Sequence, residues 1–92
     1  MKPLDQHKRR EQMGLTIYGE ILLDMVSRGK IAVMDLIKLA EESNVARQAT
    51  LHKTIKSLAD DHFIHLRMDD GDNRVRICSI AQRGTIYLNS LK

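Results

Sequence analysis

The apolar residues of this 92-residue chain change their spacing twice, and that change limits the folds open to it. From Leu15 they recur at Tyr18, Ile21, Leu22, Met25 and Val26, the i, i+3, i+4, i+7 rhythm of an amphipathic helix. Gly29 follows as its stop signal. Lys30 to Val33 is a short β-capable stretch, and a second helical pattern begins at Asp35, with Leu36, Ile37 and Ala40 on one face and an end near Ser43 and Asn44. After Val45 and a short turn, a third helix is expected from about Arg47 to Asp61, with Leu51, Ile55 and Leu58 facing inward and Ala59 beside them. From Phe63 the period drops to two. Phe63, Ile64 and Leu66 read as a strand, Asp69-Asp70-Gly71-Asp72-Asn73 as a turn, and Val75, Ile77 and Ser79 as one face of a returning strand. Helical spacing resumes near Ala81, where Ile86, Tyr87, Leu88 and Leu91 can pack back on the body.

A chain of this length, 42% hydrophobic, can bury one compact core but not two. The expected organisation is a polar arm or helical extension over residues 1–14 and a single domain over 15–92. With Phe63, Tyr18 and Tyr87 as its only aromatic residues, the core must be aliphatic. The fold class implied is α+β, mostly helical, a winged helix-turn-helix with a β-hairpin wing. Cys78 is the single cysteine and has no internal disulfide partner. No N-terminal stretch joins a positive region to an apolar run long enough for export, so the expected compartment is the cytoplasm. The apolar runs fall well short of the ~20 residues needed to cross a bilayer, so no membrane association is expected.

The formal net charge of +3 permits a polyanionic partner without requiring one. The order of elements says more. The third helix buries one face and offers the other, on which Arg47, Gln48, His52, Lys53 and Lys56 can supply base-edge donors and phosphate contacts in a major groove. The unpaired N–H groups at the start of that helix favour a nearby phosphate, and Thr50 can add a hydroxyl contact. The hairpin turn can bring Arg74, with Arg67 or Arg76, beside the adjoining minor groove, where negative potential attracts guanidinium groups. The expected partner is therefore double-stranded DNA.

The stretch from Val45 to Leu66, VARQATLHKTIKSLADDHFIHL, with the following RMDDGDNRVRICSIAQRG, resembles the winged helix-turn-helix of MarR-type transcription regulators. Leu58, Phe63-Ile64, Asp72 with Arg74, and Gly84 occupy the places of that pattern, and the similarity runs over roughly residues 16–91. The resemblance implies Gln48, Thr50 and Lys53 in the major groove and Arg74 as the wing arginine in the minor groove. Two departures stand out. His62 replaces the usual glycine after the recognition helix and must either adopt a left-handed backbone or change the turn. The chain is also short beside full MarR-type proteins, whose long flanking helices build a dimer and a ligand pocket, which puts ligand sensing in doubt. A homodimer could still form through the N-terminal arm, the first helix and the last helix, as suits two-fold operators.

Other chemistry finds less support. The aspartates of the turn resemble a calcium loop, but Ile80 stands where the bidentate glutamate is needed. His62 and His65 with Cys78 suggest zinc, yet their odd spacing along a strand sends the two histidines to opposite faces. Cys78 reads as a small core or edge residue rather than a nucleophile. No phosphate loop, paired carboxylates with assignable roles or metal-ligand spacing marks an enzyme, and neither a metal nor a cofactor is expected. The leading expectation is a sequence-specific DNA-binding regulator, a repressor by default. The other reading is a winged helix that docks a protein instead of DNA, which the acidic turn residues Asp69, Asp70 and Asp72 keep open.

Overall fold

A computed structural model describes residues 15–91, the side chains of Asp72 and Asn73 apart. The expected N-terminal arm lies outside the described residues. Helix α1 (Ile17–Ser27) starts at Thr16, an N-cap in extended conformation whose Oγ1 accepts a hydrogen bond from the Gly19 N–H at 3.1 Å. Its buried face is Gly19, Leu22, Leu23 and Val26. This corrects the stripe expected from spacing: Tyr18 and Ile21 are exposed, and Leu23 takes the interior place. Leu15, Leu22 and Val26 lie along one line of the helix, with Tyr18, Met25 and Ile21 on one side of it and Gly19 and Leu23 on the other, and only packing against the other elements selects between the two arcs.

Strand β1 (Ile31–Ala32) leads directly into helix α2 (Val33–Glu42), which buries Leu36, Ile37 and Ala40. Helix α3 (Gln48–Asp60) buries Leu51, Ile55 and Leu58, the three residues expected. Both helices end alike. Asn44 N–H donates to the Glu41 carbonyl and Val45 N–H to the Ala40 carbonyl; His62 N–H donates to Ala59 and Phe63 N–H to Leu58. These paired bonds form a Schellman cap, which needs a left-handed residue at its corner. Asn44 and His62 supply it at φ of 57° and 64°. Of the two outcomes open for His62, the chain takes the left-handed backbone.

Strands β2 (Ile64–Asp69) and β3 (Asp72–Ile80) form an antiparallel hairpin whose turn is tighter than the five residues expected, with only Asp70 and Gly71 between the strands. β3 lies centrally in a three-stranded antiparallel sheet ordered β1, β3, β2, with Ile31 opposite Cys78 and Ala32 opposite Ile77. Leu66 faces Cys78 and Ile64 faces Ile80 across the hairpin, so these four line its inner face.

Helix α4 (Gln82–Ser90) closes the body. Tyr87 is buried and its hydroxyl donates to Glu20 Oε2 at 3.1 Å, while its ring meets Phe63 edge to face at 6.3 Å between centroids. Leu88 and Leu91 are half-buried against the core, but Ile86, expected to pack inward, is 58% exposed. Adjacent positions on a helix point about 100° apart, and burial of Tyr87 turns Ile86 outward. Gly84 makes this packing possible: a Cβ there would stand 2.5 Å from the Phe63 carbonyl oxygen and 2.9 Å from Leu23 Cδ1. The core is otherwise aliphatic, and no charged or polar residue is buried among the described residues.

Candidate nucleic-acid interface

Helix α3 is fixed to the body along Leu51, Ile55 and Leu58, so the residues between these positions must face outward. Arg47, at the N-cap, and Gln48, His52, Lys53 and Lys56 are all exposed, and Thr50 is half-buried. The Thr54 hydroxyl donates to the Thr50 carbonyl at 2.7 Å, back-bonding within the helix. Helical spacing places Ala49, Lys53, Lys56 and Asp60 farthest from the buried stripe. Ala49 was absent from the residues singled out in the sequence, because it carries no polar group, yet a methyl at that crest is suited to contact a thymine methyl.

The two flanks of the helix face different surroundings. On one side Thr50, Lys53, Thr54 and Ser57 border a concavity of about 300 Å³ shared with Leu15, Tyr18 and Gly19 of the α1 side. On the other, His52 lines a groove of about 440 Å³ with Arg74, Val75 and Arg76 of the wing and with Ala32 to Asp35 at the start of α2. The structure thus brings His52, Arg74 and Arg76 into one groove and sets Thr50 and Lys53 toward the opposite flank.

Arg67 lies elsewhere. It pairs with Ile77, and residues directly opposite in a ladder share a face, whereas Arg76 pairs with Met68 on the other face. Arg67 borders a concavity behind the wing together with Lys30, Asp69 and Asp70. The acidic turn residues Asp69 and Asp70 therefore neighbour Arg67 and Lys30 rather than the groove that holds Arg74 and Arg76.

Met34 and Asp35 were not singled out in the sequence either. Met34 is 59% exposed in the first turn of α2, and both residues line the groove beside His52. What puts them there is the pairing of Ile31 and Ala32 with β3, which carries the start of α2 to the root of the wing. A two-residue strand leaves no periodic signal from which that pairing could be read.

Other site chemistry is limited. Cys78 is fully buried, and burial pushes its thiol up to about 11. At neutral pH it is a protonated core side chain rather than a nucleophile. Among the described residues no group of three or more His, Cys, Asp or Glu is placed to hold a metal ion. No described helix is long and apolar enough to cross a membrane.

No family model matches the sequence, and no curated protein matches it. Solved structures do. MarR superposes with a TM-score of 0.80 over 91% of this chain at 19% identity. The S. aureus MepR–DNA complex gives 0.78 over 92% at 15% identity, and the adhesin competence repressor AdcR of Streptococcus pyogenes gives 0.69 over 89% at 26% identity. The chain spans 59%, 68% and 58% of those three chains. Its fold is the MarR-type winged helix, as the resemblance in the sequence implied.

Proposed function

We propose that this chain is a sequence-specific double-stranded DNA-binding transcription regulator, most simply a repressor, and not an enzyme. Helix α3 enters the major groove with Gln48, Lys53 and Lys56, flanked by Arg47 and Thr50, and the wing reaches the adjoining minor groove with Arg74. The observation that carries this reading is the groove in which His52 of α3 meets Arg74 and Arg76 of the wing. It provides a cationic, partly apolar channel of the kind that receives one sugar–phosphate strand between a helix in the major groove and a wing in the minor. One of the matching structures, MepR, is a complex with DNA, which supports the same use of the fold here.

Pairing of two copies follows from the same reading. α1 and α4 are joined by the Tyr87–Glu20 hydrogen bond, and both show apolar residues to solvent, with Ile17 54% and Ile86 58% exposed. A homodimer through these helices would place two recognition helices on a two-fold operator. Sedimentation that gives a monomer both alone and on DNA rejects this part of the proposal.

The deciding experiment is fluorescence anisotropy of the protein with a mixed-sequence duplex, titrated across salt and repeated with competitor RNA. Binding should fall steeply with salt as phosphate-bound counterions return. Absence of binding at low salt overturns the reading and favours the second one, a protein-docking winged helix, for which the acidic Asp69 and Asp70 behind the wing speak.

A further inference from the structure

We infer that Ala49 is a specificity-determining residue of this chain: its exposed methyl, on the first turn of α3, reads the C5-methyl of a thymine on the floor of the major groove. The inference rests on the DNA-binding reading and adds to it the chemistry of one operator position.

The alanines on and beside α3 have different surroundings. Ala46 and Ala59 pack against the core, whereas Ala49 is exposed. Leu51, Ile55 and Leu58 fix which side of the helix is inward. At about 100° per residue Ala49 then falls almost opposite that stripe, in line with Lys53 and Asp60. The crest of α3 thus runs from a methyl, through an ammonium, to a carboxylate.

This order fixes how the helix can enter a groove walled by phosphates. Laid along the groove, α3 would press Asp60 against the negative strands. Entered with its first turn deepest, it withdraws Asp60, which lies about 16 Å farther along the axis than Ala49, beyond a groove about 8.5 Å deep. Lys53, one turn behind Ala49, then stands near the height of the backbone, where its ammonium meets phosphate. The first turn of α3 carries no acidic residue, so nothing in it repels the strands on entry.

The deepest side chains are then Gln48 and Ala49. A methyl neither donates nor accepts a hydrogen bond, so against the polar edges of a G·C pair it would displace water from a donor or acceptor without replacing the bond. Thymine alone among the bases offers a methyl there, and contact with Ala49 removes both apolar groups from water. The longer Gln48 carries the amide that suits adenine N6 and N7 on an adjacent pair. A side chain longer than alanine at position 49 would hold the helix off the base edges that Gln48 has to reach.

The test uses the duplex that the wild type selects from a randomised pool. Each thymine in turn is replaced by deoxyuridine, which lacks only the C5-methyl and keeps every hydrogen-bonding edge. Affinities are read by anisotropy for the wild type, Ala49→Gly and Lys53→Ala. At one thymine position deoxyuridine should weaken wild-type binding about fourfold, the value of one methyl group removed from water. Ala49→Gly should bind the thymine and deoxyuridine duplexes equally at that position. Glycine also weakens the helix, so the readout is the ratio of the two duplexes within one variant. Lys53→Ala should lose affinity for both and keep the ratio. Wild-type binding that is unchanged by deoxyuridine at every position overturns the inference, as does an Ala49→Gly variant that retains the wild-type ratio; both leave the DNA-binding reading intact. Failure of the wild type to bind any duplex removes that reading itself, and the inference with it.

Discussion

The guanidinium of Arg83 donates through Nη1 to the backbone carbonyl of Asp61 at 2.6 Å, joining the closing helix to the C-terminal end of α3. The same group lies 4.4 Å above the centre of the Phe63 ring. A cation at this end of α3 meets the negative pole of the helix and satisfies one of its last free carbonyls. Arg83→Ala removes the hydrogen bond and the cation–π contact together, and a loss of about 1–2 kcal/mol is expected from their usual sizes at exposed positions. Arg83→Lys should recover only part, since an ammonium cannot both lie flat on the ring and direct a fork of donors at the carbonyl. Urea unfolding of the three proteins checks this; equal stability of the wild type and Arg83→Ala contradicts it.

Two glycines inside helices should respond to alanine with opposite signs. At Gly84 the added methyl would meet the Phe63 carbonyl oxygen at 2.5 Å. That oxygen cannot retreat easily, because it accepts the Ala81 N–H at 3.0 Å where β2 begins. Gly84→Ala should cost about 2–3 kcal/mol, the upper range of overpacking. At Gly19 the nearest atoms stand 3.4–3.5 Å from the new methyl, which is ordinary contact. There the helical preference of alanine should dominate and add about 0.5–1 kcal/mol. Thermal unfolding of both variants gives the two signs directly.

The order and approximate bounds of the elements were legible in the sequence because each long helix repeats its apolar period and the hairpin alternates around a glycine turn. Leu51, Ile55 and Leu58 could be placed inward for the same reason. Tyr18, Ile21 and Ile86 could not be placed correctly, since helical spacing names a set of candidate faces and only tertiary contacts choose one. The polar residues of α3 were visible by type, but their division between two flanks depends on where α1 and the wing stand. Likewise, the separation of Arg67 from Arg76 follows from strand register, which composition does not encode, and Arg74 joins Arg76 through the groove that both line. The left-handed turn at His62 was half legible: the pattern required a turn there, and the Schellman bonds show why a residue with a Cβ is held in that conformation.

Cys78 gives a pH dependence of stability whose sign follows from burial. Burial raises its thiol to about 11, while an unfolded cysteine titrates near roughly 8.5. Below the unfolded value both states are protonated and the group has no effect. As pH rises from about 8.5 toward 11, the unfolded chain releases its proton first, and stability falls. Comparison of wild type with Cys78→Ala should show this alkaline decline only in the wild type, on top of a constant offset from the cavity. In the same state the native thiol should resist alkylation at pH 7.5 and react once the chain is unfolded in urea. Rapid labelling of the native protein contradicts the buried placement.

Lys53, Arg74 and Arg67 test the proposed docking orientation against its alternatives. Lys53 stands on the outer crest of α3, where a contact to phosphate is indifferent to sequence. Lys53→Ala should therefore weaken all duplexes alike and lower the magnitude of the salt slope by about 1. Arg74 shares its groove with His52, and a guanidinium there should profit from the deeper negative potential of a narrow A·T-rich minor groove. Arg74→Ala should cost about tenfold in affinity, close to ~1.4 kcal/mol, with a larger loss on A·T-rich flanks than on G·C-rich ones. Arg67 lies on the opposite face of the wing beside Asp69 and Asp70, so Arg67→Ala should change affinity less than either. Anisotropy titrations at several salt concentrations separate these outcomes. Equal losses at Arg67 and Arg74 would mean that the other face of the wing meets DNA. No loss at either Lys53 or Arg74 would remove the orientation altogether.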